Sequence, residues 1–514
     1  MIIITVSLLT AFIFIITGFQ KKIQFTLSDH YFHIGLIEGI KKNRHKFVSE
    51  HPNFIVEDNF GYPQLYHFIL SFLPSKFYLK YFFWLNMFFN WILIIVVFVF
   101  SIYLLRFDRN PFSEIISLNV IIVTALTPFL YLPWNAKNMG ISPRNIGFIT
   151  VTSLNFALLT FKLEPTYGHA TWIVLSICLI ILSSQMAHQY VILGLIPVSI
   201  VITPLFFLFY LWAVLVCFLI APKVMRKYFV GQFWHKYIFY KYLMNEYVFC
   251  ARESIWLDFP VVFYHKFEMN FKQGIMYFYS NPVLLIFWAI PYMIPAYYFG
   301  IQKNDEFSNL LINFNSIGLL LFFLTSFRIT RFLGEPERYV EFFIPTLSLQ
   351  LFYSVPVGVS DYWMVSLCIY GALAIIILFW IQYRSVGKTS SKWQKNMDEM
   401  FSVFLPEIND DKSLISNSWH VMRRFYGTDI KTFTPNFTSL KTGIIPLTTF
   451  FKDSFIYLDA DCLGPISENY KVCYCIIDTN VTGADKWEEK LEGYRNILNI
   501  NHFKLYKKVS LRDF

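Results

Sequence analysis

The chain has 514 residues, 56% hydrophobic and only 15% charged, with a mean hydropathy of +0.47. Soluble globular proteins carry about 25% charged residues, so the composition excludes a soluble enzyme or binding module and requires a polytopic membrane protein. The net charge of +9 fits a positive-inside bias and attraction to anionic headgroups; no basic stripe sits on a soluble fold, and no nucleic-acid partner is expected.

Residues 1–19 are almost wholly apolar and long enough to span a bilayer. They lack a basic start and a small-residue cleavage site, so a retained helix is expected rather than a signal peptide. A first loop of about residues 20–80 follows. It opens on Ser28-Asp29-His30-Tyr31-Phe32-His33 and closes on Gly61-Tyr62-Pro63-Gln64-Leu65-Tyr66-His67. Spans are expected at about 81–105, 113–133, 146–161 and 170–187. Residues 190–221 fit one long tilted helix or two short ones broken near Pro204. Residues 223–280 interleave Lys223, Arg226, Lys227, Lys236, Lys241 and Arg252 with aromatics, a pattern for helices lying in the interface. Further spans are expected at about 281–299, 308–327, 340–357 and 362–383. No internal repeat points to an inverted-repeat transporter.

From Gln382 the chain turns polar, with strand-like runs at 454–458 and 471–477. The predicted fold is mostly α: a polytopic transmembrane helical bundle of about nine to eleven spans, interfacial helices in the first loop, and a small C-terminal α+β soluble domain. The bundle takes residues 1–384 and the soluble domain 385–514. Cys178, Cys217 and Cys368 lie in apolar runs. Cys473 and Cys475 would share one face of a strand, and a disulfide involving Cys462 is compatible with an oxidising compartment. The six Lys and Arg of residues 21–63 argue against a first loop outside, whereas Arg106 and Arg109 argue for a cytoplasmic end to their span; short loops follow the rule better, so the first loop is expected outside.

Asp29 is the first candidate for chemistry. On a helix it shares a face with His33 at i and i+4, and a carboxylate at the membrane edge can take a proton from an acceptor. The plainer alternative is a helix cap by Ser28 or Asp29. Glu57 and Asp58 form a second acidic pair before Tyr62. Asp29, His33 and His67 are the residues that could hold a divalent cation, although satisfied interfacial histidines are the commoner case. Arg144, in Ser142-Pro143-Arg144-Asn145, and Arg328, Arg331 and Arg338, around Gly334-Glu335-Pro336-Glu337, carry guanidinium forks suited to phosphate. The alternative pairs them with Glu335, Glu337 and Glu341. Gln185, His188 and Gln189 sit near a span end, where they could line a polar cavity.

Together these segments resemble the GT-C class of integral-membrane glycosyltransferases. The resemblance rests on the apolar first helix, the loop opening at Asp29, Tyr62-Pro63-x-x-Tyr66-His67, Ser142-Pro143-Arg144, and the arginines with Gly334-Glu335-Pro336-Glu337-Arg338-Tyr339. It covers residues 1–383 and leaves out the tail. It implies a polyprenyl-phosphate-linked sugar donor, a glycan, lipid or protein acceptor, and a multi-pass location in a bacterial or archaeal inner or plasma membrane. Asp29 matches the position of the class's catalytic acid, but His30 stands where many members have a second acid. The resemblance further implies a binding role for His30, His33, Glu57, Asp58, Tyr62, His67, Arg144, His188, Arg328, Arg331, Glu335, Arg338 and Tyr339. It implies direct displacement at the anomeric carbon with inversion, the leaving phosphate being held by arginines. Competing classes are a flippase for lipid-linked sugars, which would need charges deep in its spans, and an envelope polymerase or acyltransferase, for which His188 is the nearest core histidine.

Overall fold

A computed structural model describes residues 2–22, 28–55, 61–107, 110–132, 140–238, 240, 268, 281–385, 387–408, 412–433 and 458–509. The membrane part runs through α1 (Ile2–Lys22), the first-loop helices α2 (Ser28–Lys42), α3 (Leu65–Ser71) and α4 (Ser75–Leu79), then α5 (Phe82–Phe107), α6 (Ser113–Ala125), α7 (Arg144–Leu163), α8 (Tyr167–Ser183), α9 (Gln185–Val201), α10 (Phe206–Ile220) and α11 (Pro222–Ile238). It continues with α12 (Pro282–Ala289), α13 (Met293–Lys303), α14 (Glu306–Thr325), α15 (Glu337–Glu341), α16 (Ile344–Ser354) and α17 (Val357–Ser385).

Among the described residues five helices are long and apolar enough to cross a membrane: Phe82–Phe107, Ser113–Tyr131, Arg144–Leu163, Glu306–Thr325 and Gly358–Ile381. The pair α12 and α13 makes a sixth candidate, bent by 66°. Ser7–Gly18, Tyr167–Ser183, Gln185–Val201 and Phe206–Ile220 are shorter apolar helices. The run at 190–221 resolves as two helices with a break at Thr203-Pro204. The expected span at 340–357 is instead built around α16, all eleven residues of which are buried. Its polar residues tie neighbouring helices together. Asn315 Nδ2 donates to Gln350 Oε1 at 2.6 Å, Thr346 donates to Asn315 Oδ1 at 2.5 Å, and Gln350 Nε2 donates to the Ala296 carbonyl at 2.9 Å. Such side-chain bonds hold helices where hydrocarbon surrounds them and hydrophobic burial gives no preference. Most of the interfacial stretch at 223–280 lies outside the described residues, apart from α11.

Short connections place the helix ends alternately at two ends of the bundle. One end holds the C-terminal end of α5 and the turns at 163–167 and 303–306, where Tyr103 meets His169 and Lys303 meets Tyr353. The other end holds α2, the 140–144 loop, the start of α9, α11, α15 and the C-terminal domain.

That domain begins with α18 (Gly387–Glu407) and carries a five-stranded mixed sheet ordered β2-β1-β3-β5-β4. The strands are β1 (Ser413–Ser416), β2 (Lys431–Thr432), β3 (Tyr474–Asp478), β4 (Tyr494–Ile500) and β5 (Phe503–Lys508), with α19 (Trp419–Arg424) between β1 and β2. β1 pairs in parallel with β2 and β3, whereas β5 pairs antiparallel with β3 and β4. Strand side chains alternate faces: Tyr474 and Ile476 meet Met397, Met400 and Phe404 of α18, while Cys475 and Ile477 face Trp487 and Cys462 on the other side. The pairing of Cys473 with Cys475 on one face does not hold, because β3 begins only at Tyr474 and Cys473 packs with the α18 side. Cys462, Cys473 and Cys475 are free thiols. The expected strand at 454–458 falls almost wholly outside the described residues.

The first loop is built into this sheet. Phe54 bridges Thr432 in parallel, beyond the β2 edge, with Thr432 N–H on the Asn53 carbonyl at 2.7 Å and Ile55 N–H on the Thr432 carbonyl at 3.0 Å. The buried Asn53 amide donates to the Thr428 and Ile430 carbonyls, both at 2.9 Å, and accepts from Gly427 N–H at 3.2 Å. The first loop and the C-terminal domain therefore lie at the same end of the bundle.

Four buried histidines seat α2. His30 Nδ1 accepts the Ile141 N–H at 3.0 Å. Gly140, at φ +152°, leaves room for it, since a Cβ there would stand 2.8 Å from the His30 Cβ. His33 Nδ1 and His67 Nε2 are hydrogen-bonded at 2.9 Å, and His51 stacks on Phe32 and Phe54. Burial pushes His30 and His51 down to about 3 and takes His33 and His67 well below the usual imidazole range.

Asn53→Ala removes an amide bonded at both ends and is expected to destabilise the loop–domain contact by about 2–3 kcal/mol, read as a lower unfolding temperature and faster cleavage within residues 425–433. The histidines set a pH dependence. An unfolded imidazole titrates near 6.5, so stability is fully present above that pH and falls as the pH drops toward 3. The slope is at most about 1.4 kcal/mol per pH unit per histidine. Unfolding temperature against pH between 7 and 4.5 checks this, and His51→Phe flattens the profile.

Candidate functional site

Asp29 lies in the first turn of α2, where the helix dipole favours an anion. Its side chain is 59% exposed. Its Oδ1 forms an ion pair with Arg423 Nη1, from α19 of the C-terminal domain, 394 residues away. The Arg423 guanidinium stacks over the Trp419 ring at 4.1 Å and approaches Phe32 at 5.9 Å, so aromatic surfaces fix its plane. Arg424 next to it pairs with Asp398 at 3.0 Å and stacks on Phe401 and Tyr31. His420 also faces this corner, and burial, with Arg423 beside it, lowers its imidazole to about 4 while Asp29 pulls the other way.

Arg144 opens α7, within electrostatic reach of Asp29, Arg338, Glu335 and Glu341. It comes no nearer to Glu335 than 3.9 Å, and its enclosed Nη1 has no hydrogen-bond partner, although the side chain as a whole is 37% exposed. Arg144, Phe148, Ser184, Met186, Arg338, Glu341 and Phe342 line one narrow cleft. Arg338 is only 6% exposed and tightly held: Nε meets Glu335 Oε2 at 2.5 Å, and Nη1 meets Glu341 Oε2 at 3.5 Å. Burial lowers the guanidinium, but Glu335, Glu341 and Glu337 outweigh it and leave its pKa raised.

The sequence expectations sort accordingly. Asp29, Tyr62 and Arg144 lie within electrostatic reach of one another: the Tyr62 phenol, raised by burial, also senses Asp29, Arg144 and Arg423. His33 shares the helix with Asp29, but its ring turns inward onto His67 and not to the carboxylate. His30 is engaged by the 140–142 backbone. His188 sits apart, with its two ring nitrogens on the Tyr228 and Tyr210 hydroxyls at 2.7 and 3.1 Å, so its nitrogens already have partners in the bundle. The Tyr339 hydroxyl donates to the Leu333 carbonyl at 3.0 Å and accepts from Gln189 at 2.6 Å. Arg328 and Arg331 lie in a 3-10 turn, Arg328–Leu333, and their side chains fall outside the described residues, as do Glu57 and Asp58. Among the described residues no group of three His, Cys, Asp or Glu gathers to hold a metal ion. Arg423 was not foreseen. Its signal was Trp419-His420-Val421-Met422-Arg423-Arg424, an aromatic and basic cluster in the polar tail.

No family model matches the chain, and no curated protein matches it in sequence. Solved structures do match in shape. ArnT from Cupriavidus metallidurans bound to undecaprenyl phosphate superposes with a TM-score of 0.57 at 9% identity over 98% of each chain. Its apo state gives 0.55 at 8% identity over the same shares. The Archaeoglobus fulgidus oligosaccharyltransferase in its apo form gives 0.51 at 12% identity, over 97% of this chain and 74% of that one. These likenesses cover the C-terminal domain as well as the helices. The chain has the GT-C fold, with a multi-pass helical membrane module and an appended α+β domain.

Proposed function

We propose that the protein is a membrane glycosyltransferase moving a sugar from a polyprenyl-phosphate donor to a glycan, lipid or protein acceptor of the cell envelope. The observation that carries this reading is an exposed carboxylate, Asp29, within electrostatic reach of Arg144, whose enclosed Nη1 has no hydrogen-bond partner, at one end of the bundle. The neighbour in shape solved with undecaprenyl phosphate supports the donor class. The opposite end carries Arg106, Lys162 and Lys303 in the last turns of α5, α7 and α13; we assign that end to the cytoplasm because short connections follow the charge rule more closely than the long first loop, so that the site faces outward in a bacterial or archaeal plasma membrane.

In the reaction the acceptor oxygen or nitrogen attacks the anomeric carbon. The bond from that carbon to the phosphate oxygen breaks, its electron pair leaves on the phosphate, and configuration inverts. The acceptor proton passes to Asp29. Arg423 takes Oδ1 and thereby aims Oδ2 outward as the proton acceptor. Arg144 meets the departing phosphate, a role suited to a fork with a donor to spare. Arg338 supports Glu335 and Glu341 instead, because its charge is already matched. The Tyr62 phenol stands within electrostatic reach of both charges.

Asp29→Asn is expected to lower sugar transfer from a polyprenyl-phosphate donor by about 10²–10⁴-fold while donor binding stays within twofold; full activity removes Asp29 from the mechanism. Arg144→Ala is expected to cost about 10²–10³-fold in kcat, whereas Arg338→Ala acts chiefly by lowering the unfolding temperature. Arg423→Ala is expected to reduce kcat with the donor KM unchanged, and Arg423→Lys recovers part of the loss. A change confined to the melting temperature would make Arg423 a purely structural residue.

A further inference from the structure

The far end of α2 from Asp29 carries a second surface. The helix runs into Lys41-Lys42-Asn43-Arg44-His45-Lys46, a tight turn with Arg44 and His45 both at φ 54°. This turn rides on α3 and α4. His45 Nδ1 bonds Ser71 Oγ at 2.8 Å and its ring stacks on Phe72 at 4.3 Å. Lys41 Nζ donates to Ser75 Oγ at 3.3 Å, and the Ser75 and Tyr78 hydroxyls donate to Glu38 Oε1.

The two short helices expose Ile69, Phe72, Phe77 and Leu79, and Tyr81 follows them to the start of the α5 span, whose Phe88 continues the apolar exterior. The same elements expose Arg44, Lys46, Lys76 and Lys80. None of these four makes an ion pair among the described residues, whereas the neighbouring Lys42 is held by Asp429.

We propose that this surface docks anionic phospholipid headgroups of the leaflet into which α3 and α4 dip. The apolar side chains require hydrocarbon beneath them. The cations just above require phosphate, and each gains from a negatively charged lipid surface. A soluble acidic glycan would match the charges but leaves the apolar edge uncovered. Because Asp29 and Lys42 belong to one helix, lipid held at one end fixes the depth of the other.

The full chain in nanodiscs of phosphatidylcholine with equal phosphatidylglycerol tests this, with retained lipid counted by native mass spectrometry. The wild type is expected to keep the anionic lipid roughly fivefold over the zwitterionic one, the factor one such cation supplies. The combined variant Arg44→Gln, Lys46→Gln, Lys76→Gln and Lys80→Gln is expected to fall to parity, while Lys486→Gln on the C-terminal domain keeps the preference. In case the fourfold variant does not fold, 0.5 M salt on the wild type should also bring the ratio toward parity. An equal ratio in wild type and variant overturns the proposal. So does displacement of the retained phosphatidylglycerol by soluble polygalacturonate, which would mark a glycan site. Neither readout involves sugar transfer, so failure here leaves the proposed activity untouched.

Discussion

The Asn53 amide is the fastening on which the arrangement at this end of the membrane depends. It bonds three backbone groups of the 427–430 turn, and the strand edge beside it is completed by the first loop itself. A short edge strand such as β2 offers unpaired backbone groups, and residues 53–55 take them. With loop and sheet joined, α19 lies against α2 and Arg423 reaches Asp29. Without the fastening, a charged contact on an exposed carboxylate would be worth little by itself. The hydrogen-bonded backbone supplies the position and the ion pair supplies the aim.

The polar groups around the site divide into those already matched and those left with capacity. His188, Tyr339 and Arg338 have their partners within the protein, and His33 and His67 bond each other. Asp29 keeps an oxygen toward solvent, and Arg144 keeps an enclosed nitrogen without a partner. Burying an unmet charge-bearing donor costs stability, and such a cost is commonly found where a ligand will supply the missing partner. The same division explains why several residues of the right chemical type near the site are structural.

Much of the bundle was legible because its signals are local. Apolar length gave the spans at 82–107 and 306–325, and the break at Pro204 follows from a proline with no amide hydrogen. The span expected at 340–357 read as membrane-facing because burial inside protein and burial in lipid select the same residues; only the surrounding helices make α16 a core element. The place of Asp29, in the first turn of a helix just after the first apolar segment, was legible from the sequence. The direction of His33 was not, since i and i+4 spacing gives a shared face but not which neighbour that face meets. Arg423 was beyond reach for a different reason: its contact joins segments 394 residues apart, and no periodicity spans that separation.

That separation also sets an order of events as the chain is made. The partners of Asn53 lie 374–377 residues downstream. At about 5–20 residues per second, roughly 20–75 s pass between the emergence of the first loop and that of the turn that receives it. During this interval α2 and the half-formed edge at 53–55 are uncovered at the membrane surface while the remaining spans insert. A ribosome-bound or truncated chain can thus have a nearly complete helical bundle and still lack the Asp29–Arg423 contact. That contact forms only when the last quarter of the polypeptide folds back onto its first tenth.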